Sequence, residues 1–165
     1  MAVSIVLLAC SPKYNWREVH DKTNSFVVLL PDKPVTASRS VNLGVETVNM
    51  TMTAAEVDGV SFAVGYADLS DIKLAQGALN AMQTSLLNNI HGTIVPGKTT
   101  PANKDNASDI EATGTRPGDN GSEHLLLLGH FVAHEKRVYQ VIVVGSEKNV
   151  LRDEAKTFLT SFKLN

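Results

Sequence analysis

Residues 48–66 read VNMTMTAAEVDGVSFAVGY, and the fold turns on them. Asp58-Gly59 sits between two strand-like runs, the pairing favoured by a two-residue type I′ hairpin turn, whose two central residues both need positive φ. That turn fixes the register: Val57 opposite Val60, Ala55 opposite Phe62, Thr53 opposite Val64 and Thr51 opposite Tyr66. The other side of the hairpin carries Met50, Met52 and Ala54 beside Ala63 and Gly65. Both sides are substantially apolar. An antiparallel sheet covered on one side only shows a polar face, so this hairpin is expected to be covered on both.

Working outward, Ile72, Ala75, Leu79, Met82, Leu86 and Ile90 recur at steps of three and four, which predicts a helix over 71–91 with a cap at Ser70 or Asp71 and Gly92 at its end. Leu151, Ala155, Phe158 and Phe162 predict a second helix from about Glu147 to Ser161. EHLLLLGHFVAHEKRVYQVIVVG, residues 123–145, reads as a long hairpin of Leu125–Ala133 and Val138–Val144 turning at His134–Arg137. Toward the N-terminus, Trp16 and Val19 mark a short strand. Phe26–Leu30 is a strand apolar on both faces and closed by Pro31, and residues 36–43 form another. The polar segment 96–121 is expected to be a long loop, with strands near 93–95 and 109–114. The order is strands, helix, strands, helix. The economical solution is an α+β domain, one antiparallel β-sheet with helices packed on both faces, an α/β/α sandwich.

The chain has 165 residues, 43% apolar and 19% charged, with a formal net charge of −2. This is a globular composition. No block of Lys and Arg supplies a footprint for nucleic acid, and the expectation is no nucleic-acid partner.

MAVSIVLLACS, residues 1–11, holds the single cysteine directly after an apolar run. The run is far short of the ~20 residues of a spanning helix. Leu7-Leu8-Ala9-Cys10 resembles the bacterial lipobox read by lipoprotein signal peptidase, and what precedes it resembles the tail of a signal-peptide apolar region. The resemblance implies that Cys10 carries lipid and becomes the mature N-terminus. Ser11, not aspartate, follows it, which permits an outer-membrane destination. The expected organisation is a truncated lipoprotein signal and tether over 1–12 and a single domain over 13–165. The expected location is periplasmic, lipid-anchored to the outer membrane of a Gram-negative cell, with a cytoplasmic location left open. The alternative is that residues 2–9 form a short edge strand and Cys10 is an inert small hydrophobe.

Three stretches carry a second resemblance: FVVLLPDKP (26–34), VYQVIVV (138–144) and AKTFLTSFKL (155–164). An early F-x-V-x-L-P strand maps onto Phe26, Val28, Leu30 and Pro31, and a closing F-x-x-S-F maps onto Phe158, Ser161 and Phe162. Over roughly 14–165 the chain resembles the PsbP-like class of small bacterial proteins, whose fold is named after an extrinsic subunit of photosystem II. The resemblance implies an α/β/α sandwich and a binding or assembly role without catalysis. It carries over no functional residue, because the matching positions are packing positions.

No catalytic constellation is expected. His124, His130 and His134 would share one face of a strand, but ten residues of strand span about 33 Å, so the three cannot meet at one ion and no metal is expected. Ser122 and His124 lack the strand-turn-helix setting of a nucleophile elbow. The expectation is therefore no enzyme, no cofactor, no catalytic residue, and an envelope protein as partner. The membrane would be met through the lipid on Cys10. The competing reading is a small-ligand carrier or enzyme with a pocket between the sheet and helix 71–91, lined by Met50, Met52 and Met82.

Overall fold

A computed structural model describes residues 12–23, 25–100, 106–119 and 121–165. Cys10 and the expected tether upstream of residue 12 lie outside the described residues. The elements run β1 (Arg17–Asp21), β2 (Phe26–Leu30), β3 (Val35–Asn42), β4 (Thr47–Val57), β5 (Val60–Asp68), α1 (Ala75–Asn89), β6 (Thr93–Ile94), β7 (Ala107–Gly118), β8 (Gly121–His134), β9 (Arg137–Ser146), α2 (Arg152–Ser161) and β10 (Lys163–Leu164). Seven strands form an antiparallel sheet in the order β3-β4-β5-β9-β8-β7-β6, and three form a separate one in the order β1-β2-β10.

The β4–β5 hairpin has the register expected of its turn, from Val57 opposite Val60 to Thr51 opposite Tyr66. Asp58 has φ 50° and Gly59 φ 71°, the two positive values that a type I′ turn requires. The β8–β9 hairpin turns where expected, with His134 opposite Arg137.

Side chains alternate along β9, so its apolar residues divide between two faces. Val138 and Ile142 enter one core with Met50, Ala63, Leu127 and the α1 residues Ala78, Leu79 and Met82. Tyr139, Val141 and Val143 enter another with Phe26, Val28, Leu30, Phe62 and the α2 residues Ala155 and Phe158. Both faces of the central strands of the large sheet are therefore dry, as the two-sided apolar pattern of the first hairpin requires.

The cover differs from expectation in one respect. One sheet between two helices was expected, but β2 pairs with β1 on one side and β10 on the other and never joins the large sheet. The second face is covered by this small sheet, with α2 beside it. The fold is more sheet-rich than an α/β/α sandwich. Phe26–Leu30 reads as a central strand because Phe26, Val28 and Leu30 are buried and Val27 and Leu29 half-buried. Local sequence does not say which sheet such a strand joins.

Other boundaries also move. A 3₁₀ turn at Ile72–Leu74 precedes α1, capped by the Asp71 carboxylate accepting from the Lys73 amide at 2.9 Å. Ile72 heads the expected stripe, yet it is 56% exposed. At the other end of α1 the left-handed residue is His91, with φ 46°, not Gly92. The Gly92 amide donates to the Leu87 carbonyl at 2.8 Å and the His91 amide to that of Asn88 at 3.1 Å, which is the Schellman arrangement. Helix α2 begins at Arg152 and not at Glu147, because the Asn149 and Val150 amides both donate to the Ser146 carbonyl and close a turn. The segment 96–121 is not one long loop. The strands expected near 93–95 and 109–114 are β6 and the middle of β7, and β7 is longer than expected, twelve residues paired with β8 along their length. Ile110, Ala112 and Gly114 are buried and alternate with more exposed polar residues, so a half-buried flank strand reads as polar chain.

Ser161 shows why the closing F-x-x-S-F pattern is structural. β10 pairs with β2 only at Phe26 and Val27. Beyond that the Leu29 amide donates to Ser161 Oγ at 2.9 Å, and the Ser161 hydroxyl donates to the Phe158 carbonyl at 2.6 Å. The side chain continues the ladder where the strand has ended. Ser161→Ala leaves the half-buried Leu29 amide without this partner and is expected to destabilise the fold by about 1–2 kcal/mol. Urea unfolding measures it, and a change below about 0.3 kcal/mol would refute the role.

Candidate functional site

A polar rung crosses three strands at one end of the large sheet. His134 of β8 is opposite Arg137 of β9, and Arg137 is opposite Asp68 of β5. Directly paired residues share a face, so all three side chains stand on the side of the small sheet. The next rung inward is Val132, Tyr139 and Tyr66. Polar groups at the rim thus rest on an aromatic floor. Phe26 lies 6.0 Å from Tyr66 and 6.3 Å from Tyr139 between ring centres, and Phe162 lies 5.7 Å from Tyr139.

Arg137 organises the rim. Its Nε donates to Asp68 Oδ1 at 2.5 Å and its Nη2 to Asp68 Oδ2 at 2.9 Å, the bidentate fork of a guanidinium on a carboxylate. Its Nη1 reaches the Thr23 carbonyl in the β1–β2 turn at 3.4 Å. The guanidinium carbon stands 5.6 Å from the centre of the Tyr66 ring, within cation–π range. Two backbone bonds fasten the surrounding loops: the Leu69 amide donates to the Lys136 carbonyl at 2.7 Å, and the Asn165 amide to that of Ser25 at 2.9 Å. Between them opens a cleft of about 430 Å³, lined among others by Ser25, Asp68, His134, Lys136, Arg137 and Asn165.

The electrostatics of the rim are set by the Arg137–Asp68 pair. Hydrogen bonding to Asp68 raises the Arg137 pKa above its ordinary value, so the guanidinium stays charged. Burial pushes the Tyr139 phenol up, against the lowering effect of Arg137. The phenol is therefore protonated at neutral pH and is no general base. The rim offers the guanidinium donors of Arg137 and the carboxylate acceptor of Asp68 side by side.

The three histidines lie on one strand, as their spacing requires, but not at one site. His134 belongs to this rim. His130 Nδ1 is 2.7 Å from Asp109 Oδ1, and its ring centre is 6.3 Å from that of Phe162. His124 is exposed nearer the opposite end of β8. Among the described residues no group of three His, Cys, Asp or Glu side chains is placed to hold a metal. Ser122 is exposed beside His124, and Glu123 between them accepts from Arg116 Nε at 2.7 Å. Met50 and Met82 are buried and Met52 packs against the same core. Gln140 Nε2 lies 3.5 Å from Met52 Sδ. These methionines are packing residues between sheet and α1. Among the described residues no helix is long and apolar enough to cross a membrane.

Sequence reasoning missed Arg137, Asp68, Tyr66 and Tyr139 as a group. Arg137 and Asp68 are 69 residues apart, and β5 pairs with β9 across an intervening helix and three strands. The only local signal is Arg137 at the first position after a hairpin turn.

No family model matches the chain, and no curated protein matches it in sequence. Among solved structures it is similar to the solution structure of cyanobacterial PsbP (CyanoP) from Synechocystis sp. PCC 6803, with a TM-score of 0.57 and 11% identity. The likeness covers 95% of this chain and 96% of that one. At this identity the likeness is one of fold, and it runs end to end: the chain has the PsbP-like fold.

Proposed function

We propose that this protein is a non-catalytic binding or assembly domain of the bacterial cell envelope, lipidated at Cys10, with the Arg137 rim as its contact surface. The end-to-end PsbP-like fold carries the reading, since the class that the sequence resembles serves mostly in binding and assembly. The rim adds a charged, solvent-facing surface built on the Arg137–Asp68 fork.

Anchoring at Cys10 would also orient the domain. The Lys13 ammonium is 2.6 Å from the Asp58 carboxylate at the β4–β5 turn. The Asn15 amide donates to the Pro31 carbonyl at 2.8 Å, and Tyr14 and Trp16 both stack edge-on against Phe62. Cys10 precedes Lys13 by three residues, a reach of at most about 11 Å. A lipid there holds the β4–β5 turn at the bilayer. The Arg137 rim, at the other end of β5 and about 27 Å away at strand rise, then faces outward toward an envelope protein.

The test is metabolic labelling with palmitate in a Gram-negative host. The full-length protein is expected to take up label and the Cys10→Ser variant to lose it, with the wild type recovered in the outer-membrane fraction. An unlabelled wild type would remove the anchor and with it the orientation.

A further inference from the structure

The large sheet has two edges, and it treats them differently. The β7 edge is covered. Thr93 and Ile94 pair with it, the Val95 amide donates to the Glu111 carbonyl, Thr100 and Asp109 exchange both backbone bonds, and the Thr115 amide donates to the Ile90 carbonyl. The β3 edge has β4 on one side and nothing on the other among the described residues. Its eight residues form an unbroken register with no bulge. All are exposed except Val41, which is partly so, and Val35 is 72% exposed. Natural edges are usually blunted by charges, proline, bulges or a covering segment. Here Arg39 is the only charge, and Pro34 lies just before the strand.

We propose that β3 is an interface between two copies of this chain, pairing antiparallel with itself about a two-fold axis at Ser38. The side-chain pattern selects both the occupant and the register. In an antiparallel pair opposed residues share a face. With Ser38 facing the partner's Ser38, Thr36 faces the partner's Ser40. That row extends the hydroxyl ladder already present within the chain, where Thr36 and Thr53 are bonded at 2.9 Å and Ser38 and Thr51 at 2.7 Å. On the α1 side, exposed Val35 faces the partner's Val41, and Ala37 faces the partner's Arg39. Hydroxyl thus meets hydroxyl and valine meets valine, and the small Ala37 leaves room for the long Arg39 side chain. Centring on Arg39 sets two guanidinium groups face to face, and centring on Ala37 leaves fewer residues of β3 paired. The sequence is thus self-complementary in one register, as an isologous contact must be. A single strand pair is a small interface, so the dimer is weak and concentration-dependent.

The register makes a signed prediction at Ala37, an exposed position. Ala37→Glu places a carboxylate opposite the partner's Arg39, twice by symmetry. Ala37→Lys places a cation there. Sedimentation equilibrium of the full chain is expected to show a reversible dimer at protein concentrations up to about 1 mM, where a millimolar equilibrium is readily seen. Ala37→Glu is expected to tighten it and Ala37→Lys to loosen it, each by about tenfold. Thermal unfolding establishes that both variants fold. A wild type that stays monomeric throughout would overturn the proposal. So would a dimer on which the two variants act equally or with the same sign, which would place the contact on another face.

Discussion

Phe158→Ala is expected to destabilise the protein by about 3–5 kcal/mol, a large part of the 5–15 kcal/mol that holds a domain of this kind folded. The side chain is fully buried. Its ring meets that of Phe62 edge-on, with centres 5.5 Å apart and planes at 89°. Phe62 is in turn the ring against which Tyr14 and Trp16 pack, at 6.3 Å each. One truncation therefore opens a cavity where α2, β5 and the Tyr14 and Trp16 rings converge. Those are the parts that attach the second layer to the large sheet. Trp16 is the single tryptophan, stacked on Tyr14 at 5.8 Å, so its fluorescence follows the same region. Urea unfolding read by that emission should give a lower midpoint with an unchanged slope if the layers unfold together. A loss below about 1 kcal/mol would mean that α2 is held by something other than this contact.

The sequence was readable where one local choice dictates many positions. Asp58-Gly59 requires a particular turn, the turn sets a register, and the register decides which residues of β4 and β5 share a face. The same logic located the turn after His134. It failed where the deciding partner is distant. Phe26–Leu30 looks like any strand buried on one side and half-buried on the other, and its place in a second sheet is completed on its far edge by β10, two residues long and more than 130 positions away. Glu147–Leu151 continues a helical spacing, but Ser146 takes two amides into a turn and delays α2 to Arg152. The Asp68–Arg137 fork has no local signature, because each residue alone is an ordinary charge at a strand end. Cross-strand placement, set by the order of strands in the sheet, makes them a pair.

That order also decides where a single added methyl group is costly. Gly114→Ala is expected to cost about 2–3 kcal/mol, although it adds one methyl group. Gly114 is buried in β7, and a Cβ built there falls on the carbonyl oxygen of Ile90, the residue that caps α1. The obstacle is backbone and cannot move aside by changing a rotamer. The helix end is docked directly on the strand, with the Thr115 amide donating to that same Ile90 carbonyl at 2.8 Å. Making room separates the two and strains that bond. Overpacking of this kind costs about 1–3 kcal/mol, and a weakened hydrogen bond adds about 0.5–1.5 kcal/mol. The reduced freedom of the unfolded chain with alanine returns about 0.4–1 kcal/mol. Hydrogen exchange separates this mechanism from general destabilisation. The Thr115 and Gly92 amides, both tied to the end of α1, should lose protection beyond the global change, while the amides of the β4–β5 hairpin should follow the global change alone. A variant within about 0.5 kcal/mol of wild type, or one with uniform loss of protection, would show that α1 does not seat on β7 through its backbone.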